Sequence, residues 1–166
     1  RGKAIDHSWT DAYGLRQKTR EGVEYKGTIL EHLLVQNLTS FYNVGIHNLT
    51  LLEAGDWDDT MDMARENGET VQFTAFYASN LKGICECLEK LMGKGHRYIE
   101  VFEEMLPLFD RLPGQDSIDY ADYSQKQGRL QHYYDILDKG ISGKMARVEI
   151  RQLISDLKAK EEYEVR

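Results

Sequence analysis

The chain has 166 residues, about one domain's worth, and is 41% apolar and 30% charged, which excludes a disordered polar chain. Mean hydropathy is −0.57 and no run approaches about eighteen apolar residues, which excludes a transmembrane helix. The net charge of −7, without a Lys/Arg cluster, argues against a nucleic-acid partner.

Residues 1–27 are polar and aperiodic and read mostly as loop. A helix is expected over 28–45, with Thr28 as N-cap, Glu31 three residues on, and Ile29, Leu30, Leu33, Leu34, Leu38 and Phe41 at helical spacing. Gly45 is placed where a C-cap belongs. Residues 46–68 form an acidic, glycine-punctuated loop, and further helices are expected over 69–165. The first of these, about 69–92, carries the stripe Phe73, Tyr77, Leu81, Ile84 and Leu88. Val71, Ala75, Phe76 and Ala78 make its first half apolar on the other side too, which predicts that this half is enclosed on most sides.

Tyr98, Val101, Phe102, Met105 and Leu106 suggest a third helix that Pro107 kinks or ends. Pro113-Gly114 reads as a turn. A fourth helix is expected over 116–139, stopped by Gly140, and a fifth over 148–165. The class expected is all-α, built from antiparallel helical hairpins. Cys85 and Cys87, two apart on a helix, point to different faces and read as small core or boundary residues.

The chemistry concentrates in the loop before the second helix. Between residues 53 and 69 stand seven carboxylates, Glu53, Asp56, Asp58, Asp59, Asp62, Glu66 and Glu69, against one cation, Arg65. Crowding of like charges raises the pKa of at least one member, and a carboxyl that keeps its proton near neutrality is what general acid catalysis requires. Trp57 offers a flat apolar face of the kind that grips a sugar ring. The same residues also fit a solvated acidic loop with Trp57 in the core, or a loose cation site. An EF-hand is excluded, because Met61 stands where it needs glycine and Asn67 where it needs glutamate.

The run from Ile46 to Asp59, Ile-His-Asn-Leu-Thr-Leu-Leu-Glu-Ala-Gly-Asp-Trp-Asp-Asp, resembles the catalytic-loop segment of inverting glycoside phosphorylases of the cellobiose and chitobiose phosphorylase type. Those proteins carry His-Gly-Leu-Pro-Leu followed by Gly-Asp-Trp-Asn-Asp. Gly68-Glu69-Thr70-Val71 is similar to their Gly-Glu-Ser-Val. The resemblance implies a portion of an (α/α)₆ barrel, with the loop at the mouth of the active site.

It places the general acid on Asp59 and gives Trp57, Asp58 and His47 contact with the sugar. Asp56 and Glu69 fall in supporting positions. The departures are Asp58 for Asn, Asn48 for Gly, Thr50 for Pro, and Gln72 where Trp is common. The activity implied is inverting phosphorolysis of a β-glycosidic bond in a di- or oligosaccharide, a glycosyltransferase reaction with inorganic phosphate as nucleophile. It implies no cofactor and no metal. An inverting hydrolase of a related (α/α)-barrel family and a catalytically silent helical interaction module are the alternatives.

No phosphate cradle is evident in these residues. The chain opens at Arg1 without Met or an apolar leader, and it stops at Arg166 within a helical pattern. The expectation is therefore a partial catalytic domain of a cytoplasmic enzyme, completed by the remainder of a longer polypeptide or by a self-association partner.

Overall fold

The computed structural model describes residues 10–11, 14–15, 18–52 and 67–165. In chain order these form strands β1 (Thr10–Asp11) and β2 (Gly14–Leu15), helix α1 (Ile29–Tyr42), strands β3 (Thr50–Leu51) and β4 (Glu69–Thr70), and helix α2 (Val71–Gly93). Strand β5 (Tyr98–Phe102), a 3₁₀ helix (Glu103–Leu108), helix α3 (Tyr123–Leu137), strand β6 (Met145–Glu149) and helix α4 (Ile150–Glu164) follow. The strands pair in three small antiparallel sheets, β1 with β2, β3 with β4 and β5 with β6.

Helix α1 begins as its sequence dictates. The Thr28 hydroxyl accepts the Glu31 N–H at 3.1 Å. The Glu31 carboxylate does not return to the cap. It is buried and takes the Phe102 N–H at 3.0 Å and the Tyr25 hydroxyl at 2.7 Å. Leu34, Leu38, Phe41 and Tyr42 form the buried face. The helix stops at Tyr42, short of the expected 45, because the next residues pair in extended form. Val44 bridges to Thr50, and the Leu51 N–H reaches the Asn43 carbonyl at 3.0 Å.

Helix α2 buries Ala78, Leu81, Ile84, Cys85 and Leu88, packing on α1 and above all on α4. Its main partner is thus distant in the chain, so the expected succession of helical hairpins does not describe the packing. Nor is the first half of α2 enclosed on most sides: Ala78 is buried, but Val71 is 68% and Phe76 56% exposed. Cys85 is buried and Cys87 exposed, one on each face.

The all-α expectation also needs correction, to a mostly helical fold with small sheets. The expected third helix is β5 followed by the 3₁₀ turn. Tyr98 faces Glu149, and Phe102 faces Met145, at the two ends of the β5–β6 ladder. A run of five residues rich in β-branched and aromatic side chains, shut between Gly95 and Pro107, is too short for its spacing to separate the two periods. Across this ladder the Arg147 guanidinium lies 3.8 Å from the centroid of the Tyr98 ring. Helix α3 starts at Tyr123 rather than 116, because Asp122 caps it by accepting the Ser124 N–H at 2.9 Å.

The core contains buried charge. Lys160 is fully buried and paired with Asp110 and with Asp156, the latter at 2.7 Å. Tyr120 donates to Asp110 at 2.9 Å, and the Arg111 N–H donates to Asp156 at 2.9 Å. Burial pushes Asp156 up to about 6. It acts on Asp110 the same way, but there the Lys160 charge wins and the pKa is lowered.

Two further charged groups, on Lys126 and Glu164, have buried atoms that lack hydrogen bonds. Neither the Lys126 ammonium nor either Glu164 oxygen has a hydrogen-bond partner. Lys126 lies 4.1 Å from the centroid of the Phe41 ring and 4.5 Å from that of Tyr163. Burial lowers Lys126 to about 8 and raises Glu164 to about 7. The raised Glu164 contributes stability that is full below its unfolded value near 4.5 and lost as pH rises through 7. The depressed Lys126 contributes stability that is full above 10.5 and lost as pH falls through 8. Together they predict a shallow stability minimum between pH 7 and 8. Urea unfolding across pH should show it, and Glu164→Gln should remove its acid side.

Candidate functional site

The residues on either side of the acidic motif pair as a two-stranded stem. Thr50 pairs with Thr70 and Leu51 with Glu69, and the Leu52 N–H donates to the Gly68 carbonyl at 2.9 Å. Residues 52 and 68, which flank the acidic motif in sequence, are therefore held side by side. Asp56, Trp57, Asp58 and Asp59 lie outside the described residues.

Glu69 organises the turn ahead of the stem. Its side chain is only 9% exposed, and its carboxylate accepts the His47 N–H at 3.2 Å and the Leu49 N–H at 3.1 Å. It also contacts His47 Nδ1 at 3.0 Å, while the imidazole itself is 74% exposed. Burial works to raise the Glu69 pKa, but the hydrogen bonds from His47 and Leu49 outweigh it and hold the carboxyl below its usual range. The two sequence-identified residues in the described region, His47 and Glu69, thus meet in one hydrogen-bonded turn.

Gly45 is required by this arrangement rather than by the end of α1. A Cβ there would run into the Glu69 carboxylate. Gly45→Ala is expected to displace that carboxylate from its donors and to destabilise the protein by about 1–3 kcal/mol, measured by urea unfolding.

Two hydrogen-bonding residues complete the turn. Asn48 adopts φ 66°, the left-handed region that asparagine tolerates better than most residues. Its amide donates to the Tyr120 carbonyl at 2.7 Å and to the Tyr163 hydroxyl at 2.6 Å. Thr50 is buried, and its N–H donates to Thr74 Oγ1 on α2 at 2.9 Å, a bond that proline could not make. The roles of Tyr120, Tyr163 and Thr74 had no sequence signal. Asn48 had one: an asparagine at a glycine position points to positive φ.

Beside β3 lies a cavity of about 200 Å³, walled by Leu51, Leu52, Phe73, Tyr77 and Tyr134, with Thr39, Ser40, Asn43 and Thr50 on its border. Aromatic faces beside hydroxyl and amide groups suit a polyhydroxylated ring. Among the described residues, no cluster of three or more potential ligand side chains is placed to hold a metal, and no helix is long and apolar enough to cross a membrane.

Residues 12–106 match the model of the glycosyl hydrolase 94 superfamily, catalytic domain. The match spans more than half of the chain, and the chain belongs to that family. The family comprises inverting glycoside phosphorylases, cellobiose and chitobiose phosphorylases among them. A search of curated proteins returned no match.

Proposed function

We propose that this member of the glycosyl hydrolase 94 superfamily takes part in inverting phosphorolysis of a β-glycosidic bond in a di- or oligosaccharide, with Asp59 as the proton donor. The observation that carries this reading is the family match across the acidic loop and both strands of its stem. In the reaction, a phosphate oxygen attacks the anomeric carbon from the face opposite the leaving group, and the glycosidic C–O bond breaks. The Asp59 proton passes to the departing oxygen. The products are an α-glycosyl phosphate and a shortened acceptor sugar. Phosphate is the nucleophile, so one protonated carboxyl replaces the pair that an inverting hydrolase needs.

Trp57 stacks on the sugar ring in this reading, and Asp58 adds negative charge beside the acid. Asp56 and Glu69 hold the loop, and the exposed His47 imidazole is available to a sugar hydroxyl. The fold would form part of an (α/α)₆ barrel. The uncovered Val71 and Phe76 on α2 are consistent with further helices of such a barrel, from the rest of a longer polypeptide or from a second copy. The enzyme is proposed to act in the cytoplasm.

Phosphate dependence tests the reading. Sugar release from β-linked disaccharides should require inorganic phosphate and saturate with it. Release at an equal rate in phosphate-free buffer would favour the inverting hydrolase, and absence of both release and binding would favour the silent interaction module.

A further inference from the structure

The turn that presents His47 is gripped from two directions. On one side, Glu69 of β4 accepts the N–H groups of His47 and Leu49. On the other, the Asn48 amide bridges the Tyr120 carbonyl and the hydroxyl of Tyr163, one residue before the end of α4. Tyr120 and Tyr163 both lie beyond the segment matched to the family.

A backbone at φ 66° can be supplied by glycine without strain, so the conformation alone does not call for an asparagine. What asparagine adds is its two donors, and both are used. The Tyr163 ring is in turn fixed: it meets the Tyr120 ring edge-on at 5.8 Å and lies against the buried Lys126 ammonium. The hydroxyl that receives Asn48 is therefore carried on a side chain with little freedom.

We propose that Asn48 and Tyr163 are positioning residues of this site, the bond between them fastening the turn of His47 and Glu69, and with it the first strand of the acidic-loop stem, to the C-terminal helix. The fastening rests on the phosphorolysis reading only for its kinetic consequence. The turn is closed by the bond from the Asn48 N–H to the Gly45 carbonyl at 3.0 Å and leads directly into β3. A shift of Asn48 therefore moves the stem on which the proton donor depends.

Asn48→Gly and Tyr163→Phe test it cleanly. Glycine keeps the left-handed backbone and loses only the two donors. Phenylalanine keeps the ring and its packing and loses only the hydroxyl. In each variant the Glu69 carboxyl, followed by carbon NMR during a pH titration, should move upward toward the usual carboxylate range as its donors loosen. Tyr163→Phe should lower activity roughly fivefold, the worth of one neutral hydrogen bond, and Asn48→Gly, which also gives up the bond to the Tyr120 carbonyl, should lower it further, with the loss in kcat rather than KM in each. The double variant should be no worse than the poorer single one, because both remove the same bond.

An unmoved Glu69 titration in both single variants overturns the proposal, as do multiplicative losses in the double variant. If the wild-type protein shows no phosphorolysis, the proposed function fails. The titration of Glu69 still decides the fastening.

Discussion

Asp59→Asn is expected to lower phosphorolysis by roughly 10²–10⁴-fold while leaving sugar affinity near that of the wild type. The amide is nearly isosteric with the acid but has no proton to give the departing oxygen. The loss should shrink for substrates with good leaving groups, such as nitrophenyl glycosides, whose departing oxygen needs less protonation. Asp58→Asn serves as the matched control. It sits next to the proposed acid and restores the neutral amide of the family pattern, so turnover should persist. Its acidic limb should move to lower pH, since removing a like charge lowers the pKa of the neighbouring carboxyl. Loss of turnover in Asp58→Asn together with normal turnover in Asp59→Asn would reassign the proton donor.

The largest effect on stability is expected at Lys160. Lys160→Met leaves the Asp110 and Asp156 carboxylates in the core without their cation and should cost about 3–5 kcal/mol at neutral pH. The sign of the pH dependence follows from burial. Without Lys160 both carboxyls have folded pKa values above their unfolded ones. The stability they contribute is then full at acid pH and lost as pH rises. The variant should accordingly lie closest to wild type in acid and furthest from it in alkali. Adding Asp110→Asn and Asp156→Asn should recover much of the loss, because neutral amides do not require the cation. Urea denaturation at several pH values measures all three quantities.

What could be read in advance follows from the range of the interactions. The N-cap of α1 is local, and Thr28 caps as its position indicates; of the apolar stripe Leu34, Leu38 and Phe41 are buried, whereas Ile29 and Leu33 stay exposed. Gly45 is not the C-cap that its position suggests, since α1 ends at Tyr42 with Asn43 as cap; the need for glycine there is set by Glu69, which is distant in sequence. Strand β5 resembles a helix in sequence because five residues do not separate the two periods, and its partner β6 lies far along the chain. Lys160 and Asp156 sit four apart and look in sequence like an exposed helical ion pair, until Asp110 and Tyr120 close over them. In the site, His47 and Glu69 could be picked out because they flank the acidic motif. Tyr163, 115 residues from Asn48, could not.

The product of the reaction tests the central claim most directly. A β-linked disaccharide should be incubated with the protein and inorganic phosphate and followed by proton and phosphorus NMR. The account predicts that an α-configured glycosyl phosphate appears as the first product, in step with the released acceptor sugar and only when phosphate is present. A β-configured phosphate, or free reducing sugar formed at the same rate without phosphate, would contradict it.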